Sequence, residues 1–88
     1  MAWRIDLTQS ARDSLAKLDP SVAKRIVSFL RTRIAPAADP RALGKALRGP
    51  LRDYWRYRVG DYRLICDIQD QVLRVLVVAV GNRKDVYD

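Results

Sequence analysis

The 88-residue sequence carries 17 lysines and arginines against 10 acidic residues, all aspartate, for a net charge of +7. A chain of this length makes one domain, residues 1–88, with a single modest core. Its lone cysteine and lack of histidine exclude an intramolecular disulfide, the usual zinc ligand sets and the Ser-His and Cys-His nucleophile schemes.

"WRIDLT" (3–8) alternates apolar and polar residues and predicts a first strand with Trp3, Ile5 and Leu7 on one face. Thr8 or Ser10 is placed to cap a helix bearing Ala11, Leu15 and Leu18. "LDPS" breaks it, and Pro20 suits the first turn of a second helix. That helix repeats Val22, Ile26, Phe29 or Leu30, then Arg33 or Ile34, with Lys24, Arg25 and Arg31 mostly on the wet side. A tight break between two such helices predicts a helical hairpin packed on a sheet. The segment 35–51 holds three of the four prolines and reads as a connector with at most one helical turn.

Beyond it the period becomes two. Trp55, Tyr57 and Val59 share one face and Tyr54, Arg56 and Arg58 the other. "VGDY" (59–62) marks a hairpin turn, and Leu64, Cys66 and Ile68 lie opposite Arg63, Ile65 and Asp67. Cys66 therefore reads as a small buried hydrophobe. "QDQ" (69–71) is a second turn, and "VLRVLVVAV" (72–80) is apolar at both parities, which predicts a central strand covered on both sides. The expected fold is α+β, in the order β-α-α-β-β-β, with a small antiparallel sheet covered on one face by the hairpin. The first strand should pair beside the last.

Charge is uneven along this order. Residues 41–63 carry seven basic against two acidic side chains, whereas residues 64–88 carry three against four. The sheet face away from the helices receives Tyr54, Arg56, Arg58 and Arg63, and "GNRKDVY" (81–87) brings Arg83 and Tyr87 after the last strand. Guanidinium groups pair bidentately with phosphate oxygens and tyrosines stack on unpaired bases, so this set suits RNA as well as it suits a solvated strand face. Lys45, Arg48 and Arg52 add further cations for RNA contact. No apolar run approaches the roughly 20 residues that cross a bilayer, and the start lacks the apolar segment of an export signal. A cytoplasmic protein without a membrane or a cofactor is expected.

"LRG" (47–49), "YWRYRVGDYRLICDI" (54–68) and "VLVVAVGNRKDVY" (75–87) resemble the RelE/ParE toxin superfamily of type II toxin–antitoxin modules, and its RelE branch more closely. The resemblance implies the RelE-like microbial RNase fold and a ribosome-dependent mRNA endonuclease, or interferase. In that activity the mRNA 2′-hydroxyl attacks the adjacent phosphate in the ribosomal A site, without metal, and translation stops. It further implies a RelB-like antitoxin, contact with ribosome and mRNA, and a toxin–antitoxin complex of higher order. By motif position, Arg63 would stabilise the transition-state phosphate, Arg83 the leaving 5′-oxygen, and Tyr87 would stack on the nucleotide. Arg56 and Tyr54 fall where the family has strand lysines. Arginine stays protonated and makes a poor base, which leaves Tyr54 to take the base role beside Arg56 and Arg63, with Arg58 as an RNA contact. Two other readings are a ParE-like inhibitor of DNA gyrase and a non-catalytic RNA- or protein-binding module. Residues 11–34 also have the length of a helix-turn-helix, but their apolar stripe is needed by the sheet.

Overall fold

A computed structural model describes residues 2–82. The chain runs β1 (Arg4–Leu7), α1 (Gln9–Ala16), α2 (Pro20–Phe29), a π-helical turn (Leu30–Ile34), a 3-10 turn (Pro40–Leu43), β2 (Lys45–Ala46) and a second 3-10 turn (Gly49–Leu51). Then follow β3 (Trp55–Val59), β4 (Tyr62–Gln69), a third 3-10 turn (Asp70–Val72) and β5 (Arg74–Asn82). The strands form one sheet in the order β1-β5-β4-β3-β2. The expected α+β order is present, with two differences. The β1–β5 pair is parallel, so the sheet is mixed, and β2 adds a fifth strand at the edge, antiparallel to β3.

Local chemistry accounts for the helices. Thr8 is the N-cap of α1, its Oγ1 accepting from the Ala11 N–H at 3.1 Å, and Pro20 opens α2 where a missing N–H costs nothing. At the end of α2 the backbone widens, with the Ala35 N–H donating to the Leu30 carbonyl at 2.9 Å. Leu30 and Ile34 are both buried on this turn, and Phe29 meets the Tyr57 ring edge-on at 5.9 Å. The apolar stripe of the sequence therefore continues to the core past the regular helix.

That core joins Trp3, Ala11, Ile26, Leu30 and Ile34 to the helix-side residues of the sheet: Tyr57, Val59, Leu64, Cys66, Val75, Val77 and Val80. Burial pushes the Cys66 thiol well above its ordinary value, and it stays an uncharged packing atom. The β3–β4 hairpin closes through two residues, Gly60 and Asp61, with Gly60 at φ +60°, a conformation glycine adopts without strain. β5 was expected to be covered on both sides. Instead Val75, Val77 and Val80 are buried while Leu76, Val78 and Ala79 are only half-buried. The helices cover one face only, and the uneven spacing of the buried valines comes from a bulge. Ile65 pairs with Ala79 but Cys66 pairs with Val77, so Val78 is an extra residue in β5. The Thr8 hydroxyl donates to the Val78 carbonyl at 3.3 Å, anchoring the bulge to the start of α1.

The segment read as a connector is fastened to the core by side chains of β3. The Tyr57 hydroxyl donates to the Pro40 carbonyl at 2.6 Å and the Trp55 indole N–H to the Arg41 carbonyl at 3.0 Å. Gly44 follows, pressed against β3. A Cβ there would overlap the Arg56 carbonyl oxygen and lie 2.8 Å from both the Trp55 and Tyr57 rings. Gly44→Ala is expected to cost about 3 kcal/mol by overpacking. A urea titration that moves the midpoint by less than a third of that would contradict this packing.

Arg41 extends the fastening to the far end of the sheet. Its guanidinium lies 5.9 Å from the Trp55 ring and donates to both carboxylate oxygens of Asp70, at 2.8 and 2.7 Å. This hydrogen bonding holds the Asp70 carboxyl below the usual carboxylate range. A depressed folded-state value means that its contribution is present at neutral pH and lost as the pH falls through that value. Asp70→Asn is therefore expected to lower the urea midpoint at about pH 7 and to make no difference at about pH 2. Equal differences at both would sink the linkage.

Candidate functional site

Because β-strand side chains alternate, residues paired across the sheet share a face. The helix-free face can be read in rows. One row runs Arg58, Arg63, Gly81 and the next Lys45, Arg56, Ile65, Ala79. Four cations thus occupy neighbouring positions on three adjacent strands. Arg58 sits directly opposite Arg63, and Lys45 directly opposite Arg56. Such partners have Cα atoms about 5 Å apart, and like charges in this position destabilise a sheet. A concentration of cations of this kind draws polyanions.

The four are not equivalent. Lys45 and Arg58 are exposed and Arg56 is half-buried. Arg63 is 8% exposed, the one charged residue of the described chain that is buried. The sequence had placed it on an open face, and there it is buried. Its neighbour across β5, Gly81, brings no side chain of its own. At the sheet edge a cleft of about 290 Å³ is lined by Ala42, Leu43, Gly44, Lys45, Arg56 and Arg58. Leu43, 39% exposed, is an apolar wall beside these cations.

Tyr54 is half-buried just before β3. Its carbonyl accepts from the Leu47 N–H at 3.2 Å, which extends the β2–β3 pairing by one step. It therefore continues the alternation of Arg56 and Arg58 on the helix-free face, as the sequence predicted. Arg48 and Arg52 are exposed on either side of the second 3-10 turn. Arg83 and Tyr87 lie outside the described residues. Among the described residues there is no group of three or more His, Cys, Asp or Glu that could hold a metal ion, and no helix is long and apolar enough to cross a membrane.

The sequence reading missed two things. Lys45 was taken as a loop residue, because a two-residue strand leaves no periodicity to detect; its register opposite Arg56 makes it part of the cation group. The other is a polar chain on the remaining half of the same face. Gln69 Nε2 donates to Asp67 Oδ2 at 2.8 Å, and Arg74 Nε donates to Gln69 Oε1 at 2.7 Å. Arg74 also lies 3.5 Å from Asp6 Oδ2, which accepts from Arg4 Nε at 3.0 Å. Alternate polar residues at 67 and 69 were the only signal of it. On this face Lys45, Arg56, Arg58 and Arg63 gather on the β2–β3 side and the near end of β4, and the chain from Asp67 to Arg4 lies on the β1–β5 side.

The five-stranded sheet backed by a helical hairpin agrees with the fold of known proteins. Residues 5–87 match the family described as ParE toxin of type II toxin–antitoxin system, parDE. Toxin RelG of Mycobacterium tuberculosis is 32% identical over 87 residues, covering 99% of this chain and 98% of that protein. Toxin RelE of the same organism is 30% identical over 86 residues, covering 97% and 86%. The toxin–antitoxin complex RelBE2 of M. tuberculosis aligns with a TM-score of 0.86 at 30% identity, over 94% of this chain and 100% of that one. An E. coli RelE mutant in complex with a peptide of its antitoxin RelB aligns with a TM-score of 0.73 at 27% identity, over 93% and 84%. On sequence and fold together, the chain belongs to the RelE/ParE superfamily, as a RelE-like toxin of a type II toxin–antitoxin module.

Proposed function

We propose that this toxin is a ribosome-dependent mRNA endonuclease that cuts the codon in the A site, and that a RelB-like antitoxin silences it by covering the cationic face. The observation that carries this reading is the quartet Lys45, Arg56, Arg58 and Arg63, in which like charges stand directly opposite one another on one sheet face. Ammonium and guanidinium groups gathered in this way pair favourably with the oxygens of a phosphodiester.

In the proposed reaction the 2′-oxygen bonds to the adjacent phosphorus and the P–O5′ bond breaks. The products are a 2′,3′-cyclic phosphate and a free 5′-hydroxyl. The proton of the 2′-hydroxyl leaves to a base, and the departing 5′-oxygen gains one. Tyr54 takes the base role. Arg63, held rigid by burial, neutralises the charge that builds on the phosphate, and Arg56 binds its oxygens. Arg83 serves the leaving oxygen and Tyr87 stacks on the nucleotide. In-line positioning and charge neutralisation supply the acceleration, with no metal in the scheme. Arg58, Lys45, Arg48 and Arg52 hold flanking RNA on the ribosome, and the antitoxin complex assembles to higher order in the cytoplasm.

The test is a cell-free translation reaction with purified toxin, followed by mapping of mRNA 3′ ends. Codon-phased cuts are expected from wild type, absent without ribosomes and lost in Arg83→Ala. Tyr54→Phe should slow cutting about 100-fold while ribosome binding stays near wild type; unimpaired cutting would remove Tyr54 from the base role. A second reading has its own support, because the matching family is described as ParE toxin. It makes the chain a binder and inhibitor of DNA gyrase. Translation without cuts, together with blocked supercoiling by gyrase, would establish that reading in place of the first.

A further inference from the structure

Asp67 has no role in the chemistry above, yet it shares the face with the cations. It lies four residues along β4 from Arg63, about 13 Å at the rise of a strand. Its row runs Asp67, Leu76, Asp6 across β4, β5 and β1, and on its other side Tyr54 continues β3. Asp67 and Leu76 are half-buried, and so is Ala79 in the adjoining row. An acceptor group therefore stands over an apolar patch, beside an aromatic ring.

The carboxylate is also fixed in place. Arg74 fixes the Gln69 amide by taking its oxygen, so the amide nitrogen turns to Asp67. Arg74 and Arg4 are both countered by Asp6. Gln69 uses one lone pair of Asp67 Oδ2, and an ionised carboxylate has about four such positions over its two oxygens. Acceptors remain on both oxygens, in a constant orientation.

We propose that Asp67 reads a guanine base of the RNA, one nucleotide removed from the phosphate held at Arg63, with Leu76 and Ala79 beneath the base. The proposal rests on the RNA-cleaving reading for its setting, but its chemistry is separate. A carboxylate only accepts hydrogen bonds. Guanine offers two adjacent donors on its Watson–Crick edge, N1–H and N2–H, spaced to meet two carboxylate oxygens. Adenine and cytosine set one amino group beside a ring nitrogen whose lone pair the carboxylate repels. Uracil sets one N–H between two carbonyls. Asp67 therefore favours guanine and disfavours the rest, while Gln69 is a positioning residue that acts through it.

The experiment measures fluorescence anisotropy of single-stranded RNA pentamers, all uridine except for a central guanosine, inosine or adenosine, titrated with purified toxin. Wild type is expected to bind the guanosine RNA about tenfold more tightly than the adenosine RNA, the scale of one bidentate base contact. Inosine, which lacks the N2 amino group, should fall between them. Asp67→Ala should level the three while affinity for the adenosine RNA stays within about twofold, and Gln69→Leu should narrow the preference. Equal binding of the guanosine and adenosine RNAs by wild type overturns the proposal. So does an Asp67→Ala variant that weakens all three RNAs alike. Because no ribosome is present, a guanosine preference in a toxin that cuts nothing during translation would refute the endonuclease reading and leave the role of Asp67 standing.

Discussion

Arg63→Met is expected to reduce mRNA cleavage by at least about 100-fold, the scale of losing one preorganised charge at a developing oxyanion. It should leave the fold's stability within about 1 kcal/mol of wild type. Two features make this separation unusual for a buried residue. Methionine keeps much of the apolar stem that fills the site at 8% exposure, so no large cavity opens. Removing the guanidinium also ends its opposition to Arg58 across the β3–β4 pair, which offsets part of whatever the charge contributed. The measurement pairs a cleavage time course in translating extract with a urea titration of the same preparation. Full activity in the variant would take Arg63 out of the site. A collapse of stability would show that the charge is there for the fold.

Tyr57→Ala is expected to do the reverse, destabilising the protein by about 4 kcal/mol, within the range for deleting a buried aromatic ring. Tyr57 is completely buried, its ring meets Phe29 edge-on, and its hydroxyl donates to the Pro40 carbonyl at 2.6 Å. Burial raises the phenol's pKa far above the ordinary value, so it remains a donor at any working pH. A domain of this size has only about 5 kcal/mol or a little more in hand, so the variant should be largely unfolded at 37 °C. Tyr57→Phe isolates the hydroxyl. It should cost about 1–2 kcal/mol, because a buried carbonyl loses its partner. It should also loosen residues 40–45, raising hydrogen exchange there more than in β5. Urea titration and amide exchange read the two effects separately, and an alanine variant as stable as the phenylalanine one would contradict the packing.

Sequence periodicity reached the helices and the β3–β4 hairpin because each carries its own local signal: Thr8 and Pro20 at the helix starts, strict alternation from Trp55 to Val59, and the glycine turn at 60. The cations at 56, 58 and 63 were legible on one face for the same reason. What escaped depends on contacts between distant segments. β2 exists because Tyr57 and Trp55 bond the carbonyls of Pro40 and Arg41, pairings that no window of residues 35–51 contains. The bulge in β5 was hidden because "VLVVAV" is apolar at both parities, so an inserted residue leaves the pattern unchanged. Arg63 looked exposed because arginine in a strand usually is. Nothing in the alternation of β4 sets it apart from Asp67 and Gln69 on the same face, which stay half-buried. The Asp67–Gln69–Arg74 chain needed the register of β4 on β5 before it could be seen.

The bulge also carries a consequence for how such a protein can change over time. Val78 is spent on the bulge, and beyond it Val80 faces the helices and Gly81 lies beside Arg63. The register on β4 therefore behaves like a reading frame. Exchanging one small apolar residue for another at position 78 leaves the bulge intact, and losing that residue would restore regular alternation with Val80 still toward the helices and Gly81 still beside Arg63, giving up only the local twist and the Thr8 hydroxyl's bond to the Val78 carbonyl. Lineages of this toxin should accordingly be free in spelling between residues 76 and 80 and tolerant of losing the residue at 78, but not of a one-residue slip of β5 against β4.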